Sequence, residues 1–596
     1  MPRRRAEPDS EPARIVERTL NELQDGIKEH KARTERYDTA YKIWRSPDNP
    51  NDRRGRPDWQ PLLKVKYGMQ VVDQAMVSIV QGIPQPRCTP RNSRSVGAAM
   101  AMERTLSYFG DLAHIAEVQP VVAQQALVYG VSPCKNRWLY KESDRNMLAQ
   151  GTDPATGEST WTERAGKIVE CDRPDMQPWD AYDCWWDPLA SDPDKAAYIV
   201  LRCWPTKDDL LGNSYDADTG IGMYRNLDRL FSSGPGGERP QTAQNEIIGQ
   251  QVSYRNRFEV WEVWRDQRLT VIGNKQVLLY DGPKPYWIPG KPVTISSTRP
   301  DFFRIEGISE TELIDHIQQT LQSEDNLRLE NLRFTVQRGA TVRETVPNMA
   351  ELVMQPHFLW RVTDHDDVEF KNQPPLPPEA YEEHSTLLNL LQYVTGITPY
   401  VTGASSGAGV DQNTATGVSV LANAAGKLLA FKAQMIAQRT YQRMWEQWAD
   451  LTKQFLRSPR EIHIDDRDPL TGQEIGWVSV GPQDIYGDYD VRNEAAEESL
   501  NKQQKRADVV ALLNAFAPYV QNGQVDPKPL LMLAAEAYNF PSPQALFPAA
   551  PPTPPPAAPN GNGQPQLPVG APPFTLTPGN IAPPPFQSVL RGNQSG

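Results

Sequence analysis

The chain of 596 residues is short of most of what an enzyme or a motor uses. No G-x-x-x-x-G-K-[ST] occurs: Gly166-Lys167 and Gly426-Lys427 lack the upstream glycine and the following hydroxyl, which excludes an ATP-driven motor of the P-loop kind. There is no H-E-x-x-H, and the seven histidines never fall at metal-ligand spacing. The acidic runs Asp364-His-Asp-Asp367 and Asp465-Asp-Arg-Asp468 have neither the glycine nor the distant glutamate of a calcium loop, so no metal or other cofactor is expected. Five widely spread cysteines form no C-x-x-C pair, which predicts reduced thiols rather than a disulfide framework. No apolar run reaches the length of a membrane span, and a charged segment follows Met-Pro-Arg-Arg-Arg, so neither a membrane contact nor a secretory signal is expected. Basic charge is also scarce: 62 Lys and Arg against 74 Asp and Glu leave −12, against tight electrostatic capture of DNA.

One catalytic pattern is present in letter only. Gly403-Ala-Ser405-Ser-Gly407 matches G-x-S-x-G, but low-complexity residues follow it where the elbow needs a helix, and His463 is the only downstream histidine. A cytosolic serine hydrolase using Ser405 is the alternative reading from another class. A virion scaffold or adaptor that never meets DNA is a third.

The most informative stretch runs from Gly307 to Arg457. Ser309 and Glu312 have capping-box spacing, and Leu313, Ile317 and Leu321 follow on one helix face. A second helix is predicted after Pro377-Pro378, carrying Leu387, Leu391 and Val394 and ending at Gly396. Next comes the glycine- and serine-rich 401–409. A third helix, 414–457, then repeats apolar residues every three or four positions without a break, and would be about 65 Å long. Such a helix needs neighbours along its length. The order reads as channel architecture rather than as an active site.

The rest of the chain divides by composition. Residues 12–44 read as a charged helix, and Arg53, Arg54 and Arg56 sit in a polar loop that is either solvated or touches nucleic acid. Helical spacing returns at 62–81, 98–109 and 118–129, and 131–300 is mainly β, densest in Val, Phe and Trp at 258–264. Asp153–Gly157 and Asp468–Gly472 share a hairpin-turn composition. Helices are expected at 497–520 and 529–538. From Pro548 onward fifteen prolines and one charged residue predict a disordered tail.

Several weak patterns in a fixed order resemble the portal proteins of tailed bacteriophages: Glu103-Arg-Thr-Leu-Ser-Tyr-Phe109, Gln125-Ala-Leu-Val-Tyr-Gly130, Trp186-Asp-Pro-Leu-Ala190, Phe303-Arg-Ile-Glu-Gly-Ile-Ser309 with Gln318 and Asn331, Thr395-Gly-Ile-Thr-Pro399 and Asn413-Thr-Ala-Thr-Gly-Val418. Gly417 departs from the family, where many members carry an acidic residue. The resemblance covers about 60–540 and implies an α+β portal fold assembled as a ring. Its parts would be an N-terminal helix and loop (1–60), a β-rich wing (61–306 and 458–496), stem helices (307–337 and 376–396), a clip (338–375), a tunnel loop (397–413), a long channel helix (414–457), a crown (497–547) and the tail (548–596).

It further implies twelve-subunit rings at the capsid vertex, assembled in the host cytoplasm, through which viral double-stranded DNA is packaged and ejected. Partners would be the terminase large subunit, capsid and scaffolding proteins, and head-completion or tail adaptor proteins. Thr402, Gly403, Ser405, Ser406, Gly407, Gly409 and Asn413 would face DNA, with glycine supplying freedom and hydroxyls weak phosphate contacts. Arg328, Arg333, Lys427 and Lys432 are candidate phosphate contacts in the channel, each with an inter-subunit salt bridge as its plain alternative.

Overall fold

Aromatic and β-branched residues make the centre of the strand-rich part, because they fit a pleated surface covered on both sides. Strands β4 (Cys184–Trp186), β5 (Ile199–Cys203), β6 (Val260–Trp264), β7 (Arg268–Gly273) and β8 (Val277–Pro283) form one five-stranded sheet in that order, antiparallel throughout. Every residue of β6 is buried. One face packs Trp185, Val200, Trp261 and Val263 against Leu23, with Leu20 and Ile27 beside it, all from the N-terminal helices. The other face meets Leu210, Leu227 and Leu230.

The computed structural model describes residues 11–47, 53–57, 60–80, 82–152, 159–212, 222–236, 242, 256–336, 339–343, 364–371, 377–397, 427–467 and 474–493, with 509, 512, 513 and 516. All lie in one unit, Met1–Asn539. The expected N-terminal helix is two, α1 (Glu11–Glu22) and α2 (Gln24–Arg45), broken at the fully buried Leu23. Then come α3 (Tyr67–Ile79), β1 (Pro86–Pro90), α4 (Val96–Leu112) and α5 (Ile115–Tyr129), which Gly130 stops in the left-handed conformation.

A long antiparallel ribbon follows, β2 (Ser132–Thr152) with β3 (Ser159–Pro178), and its base continues onto β9 (Val293–Ser296). After two short helices, α6 (Lys207–Gly212) and α7 (Leu227–Ser232), and the sheet described above, the chain enters α8 (Glu310–Val336). A small hairpin pairs β10 (Gly339–Val342) with β11 (Val368–Lys371), and α9 (Glu379–Thr395) returns antiparallel along α8. Within the expected clip, residues 344–363 lie outside the described residues. So do the predicted turns at 153–157 and 468–472, although the strands flanking each of them pair antiparallel.

Helix α10 is described from 427 to 455, not to Arg457, and its uniform apolar repeat does not give a uniform helix. Ala437–Gln442 is a π-turn, and the α-helix resumes at Arg443–Phe455. Trp445 and Trp448 carry this helix into the main core with Phe109, Met102 and Leu106 of α4. The chain closes with the hairpin β12 (Arg460–Arg467) and β13 (Glu474–Val480), then β14 (Tyr489–Asn493), which pairs with β1 from the opposite end of the sequence.

Two contacts place α8. Gly130 and Gly307 meet backbone to backbone, with the Gly307 amide donating to the Gly130 carbonyl at 3.0 Å, and a Cβ on Gly130 would overlap the Gly307 carbonyl oxygen. Along one side of α8, amide side chains at four-residue spacing hold the segment that precedes α3. Asn326 accepts from the Leu63 amide at 2.6 Å and donates to its carbonyl at 2.9 Å. Gln322 donates to the Val65 carbonyl at 2.9 Å, and Gln318 accepts from the Gly68 amide at 2.7 Å while donating to the Ile43 carbonyl at 2.9 Å. Positions i, i+4 and i+8 share a helix face, so two side chains hold the strap and the third ties α2 to the start of α3.

Candidate functional site

The start of α8, the end of α9 and the described beginning of α10 converge on one buried ion pair. Ser309 begins α8 by accepting the Glu312 amide at 3.1 Å, the N-cap bond its spacing predicts. The next residue, Glu310, is fully buried, and Lys432 of α10, also fully buried, sits with Nζ at 2.8 Å from its Oε1. The same ammonium donates to the Thr395 carbonyl at 2.9 Å. Arg299 supports both partners, donating to Glu310 Oε1 at 3.2 Å and to the Val394 carbonyl at 3.0 Å.

The placement follows helix electrostatics. A carboxylate lies in the first turn of α8, and two cations lie on the terminal carbonyls of α9, each near the helix end whose partial charge it complements. Burial pulls the Lys432 ammonium below the usual lysine range, and the Glu310 carboxylate opposes that shift. Thr395 turns its hydroxyl back to the Leu391 carbonyl at 2.8 Å. Gly396 then takes φ +75°, and a Cβ there would press on Leu428 Cδ2 at 2.8 Å. One step further along α10, Arg439 donates to Ser297 Oγ at 2.9 Å.

The predicted loop residues Thr402, Gly403, Ser405, Ser406, Gly407, Gly409 and Asn413 lie outside the described residues, as does 398–426 as a whole. The joint fixes what flanks them: Gly396 and Ile397 on one side, Lys427 to Lys432 on the other. The four expected phosphate contacts separate. Lys432 is a correction: its ammonium is enclosed by Glu310 and Thr395 within the chain and is not offered to a ligand. Arg328 lies over the Tyr381 ring at 4.8 Å and 3.8 Å from Asp325, bridging α8 and α9. Arg333 and Lys427 are exposed. Lys432 carried a signal that sequence reading passed over, since it falls between Leu429 and Ile436 on the apolar face of its own helix.

Between α8 and α9, His384 Nδ1 lies 3.7 Å from Asp325 and 3.8 Å from Glu324, and the Tyr67 hydroxyl donates to Asp325 at 2.9 Å. Among the described residues no group of His, Cys, Asp and Glu could hold a metal ion, and no helix is long and apolar enough to cross a membrane.

A buried charge cluster thus joins the first turn of α8, the last turn of α9 and Lys432 of α10. A family model described as phage SU10 portal protein matches residues 131–567, and the chain belongs to that family. It is thus a phage portal protein, a component of the phage head. The match begins after the helical patterns at 98–130, which the resemblance had also used. No curated protein matches the chain.

Proposed function

We propose that copies of this chain close into a ring at the capsid vertex and form the channel through which double-stranded DNA is packaged and ejected. In this reading β2–β9 with the flanking helices and the β12–β14 return make the wing, α8 and α9 the stem, and 338–375 the clip on which the terminase large subunit and later the adaptor proteins dock. The observation that carries the reading is the Lys432–Glu310 joint. It ties both flanks of 398–426 to rigid helices, as a loop needs if it is to press on moving DNA without dragging its neighbours.

Leu327, Leu332, Val336, Leu390 and Tyr393 are exposed along the α8–α9 pair of a single chain, an apolar surface suited to side-by-side packing. The net charge of −12 favours passage of DNA over capture. Arg333 and Lys427 are the remaining channel candidates for phosphate, and the loop from Thr402 to Asn413 the flexible contact. The chain itself guides, and a partner supplies the work.

Negative-stain images of the purified protein test this directly: top views should show rings with a central hole, and a field of single chains would end the proposal. Deleting 403–409 should leave rings intact while reducing DNA packaging or retention. Ser405→Ala should leave both unchanged.

A further inference from the structure

The helix α8 is covered on two sides by elements of opposite charge. At about 100° per residue, Gln318, Gln322, Asn326 and Glu330 centre on one side, and Leu321, Glu324, Asp325 and Arg328 on a side roughly 140° away. The first side holds the strap, residues 60–66, led in by Arg53, Arg54 and Arg56, all three exposed. The second holds α9. Strap, α8 and α9 therefore form a slab, with the strap on one flank and α9 on the other.

The outer flank of α9 has nothing upon it among the described residues. Glu379, Glu382, Glu383, Thr386, Leu390 and Tyr393 fall on the side turned from α8 and are exposed, Tyr393 at 84%. The strap flank is concave. A groove of about 340 Å³ opens there, with Leu62, Leu63 and Leu327 in its walls and Arg56, Lys64 and Glu330 among its polar lining. Leu63 and Leu327 remain 43% and 61% exposed.

The two flanks also match in level. Arg328 stacks on Tyr381 and His384 meets Asp325, so the first turn of α9 runs beside α8 from about Arg328 outward. Arg56 lines the groove together with Glu330, and Gln60 Nε2 lies 3.5 Å from the Glu330 carboxylate, which puts the arginine turn at that same end. Copies in a ring are related by rotation about the axis without a shift along it. Patches that meet across a head-to-tail interface must therefore share a level, and these do.

We propose, resting on the ring reading above, that the strap flank of one stem is the docking surface for the outer face of α9 of the next copy. Arg53, Arg54 and Arg56 face Glu379, Glu382 and Glu383, which share their level. The strap is then the element through which neighbouring stems recognise each other, and its arginines serve assembly rather than DNA.

The test uses the full chain and measures the ring fraction against protein concentration by mass photometry, with negative-stain images alongside. Reversing the strap (R53E, R54E, R56E) or the helix (E379K, E382K, E383K) should each raise the half-assembly concentration at least tenfold. Mixing the two charge-reversed chains should restore rings in which the two alternate, because each strap then meets an oppositely charged helix, and combining all six changes in one chain should return assembly to within about threefold of the parent. Because the helix reversal also disfavours the α9 N-terminus, the strap reversal and its rescue decide the matter. Arg56→Cys with Glu382→Cys should in addition give oxidised ladders of joined chains, and neither single cysteine should.

Rings that assemble normally with the reversed strap and give no ladder would overturn the docking and leave the ring reading standing. Normal rings that package less DNA would instead assign the arginines to nucleic acid. Parent protein that never forms rings would remove both.

Discussion

Acidification from pH 7 to 4.5 should loosen the contact between α2 and the five-stranded sheet, with His30 as the responsible group. His30 is buried, its Nε2 lies 2.9 Å from the Tyr182 carbonyl oxygen, and its ring sits 5.1 Å from that of Trp185. Burial, reinforced by the nearby Arg202 and Arg33 cations, pushes its pKa down to about 3 from the ordinary 6.5. The unfolded chain therefore binds a proton that the folded chain refuses, between pH 6.5 and about 3. Stability rises with pH across that window, so it is complete above 6.5 and is lost as pH falls. At pH 4.5, two units below the ordinary value, the loss is about 2.7 kcal/mol at 1.36 kcal/mol per unit.

The measurement is the urea midpoint at a series of pH values for the parent and for His30→Gln. The glutamine amide can still donate to the Tyr182 carbonyl but does not titrate. It should cost about 1 kcal/mol at pH 7 through lost ring packing, and its profile should be flatter than the parent's by the amount above. Parallel profiles for the two proteins would refute the assignment. Carboxylates held below their usual range by partners, such as Asp281 beside Arg268, titrate alike in both proteins and cancel in the comparison.

Lys432→Met should destabilise by about 3 kcal/mol, because Glu310 stays buried with Arg299 as its remaining cation, and a neutral result in chemical denaturation would remove the joint from the energetics. Gly130→Ala should cost a similar amount, about 3 kcal/mol, from its φ of +74° and the blocked approach of Gly307, read as a lowered thermal midpoint. Above pH 10 the half-buried Tyr129 and the buried Tyr182, whose hydroxyls desolvation holds protonated, should make stability fall as pH rises, followed by phenolate absorbance.

What could be read from the sequence depended on how local the cause was. The bounds of α9 are written in Pro377-Pro378 and Gly396, and the stop of α5 in Gly130, because each is a backbone effect of one or two residues. Strand β6 was plain from its Val and Trp content. The ribbon β2–β3 was marked by the turn composition at 153–157 and not by its strands, since Lys141, Glu142 and Arg145 extend it as a solvated pair with no apolar alternation, held partly by Lys141 and Arg145 to Glu170. The π-turn left no trace in the apolar repeat. In the candidate site, the Ser309 cap was legible, whereas the pairing of Glu310 with Lys432, more than a hundred residues away, depends on how three helices pack. A lysine on an apolar face was its only mark.

The amide ladder on α8 acts as a gauge of length. Four helical residues advance about 6 Å, and two residues of chain reach at most about 7 Å, so Leu63 and Val65 meet Asn326 and Gln322 only if the chain between them is nearly taut. Amides bonding to backbone are indifferent to which side chains pass by, yet the absence of slack leaves a single alignment. An inserted residue would have to bulge outward at once. The ladder therefore tolerates other side chains along the strap, but it does not let the strap slip.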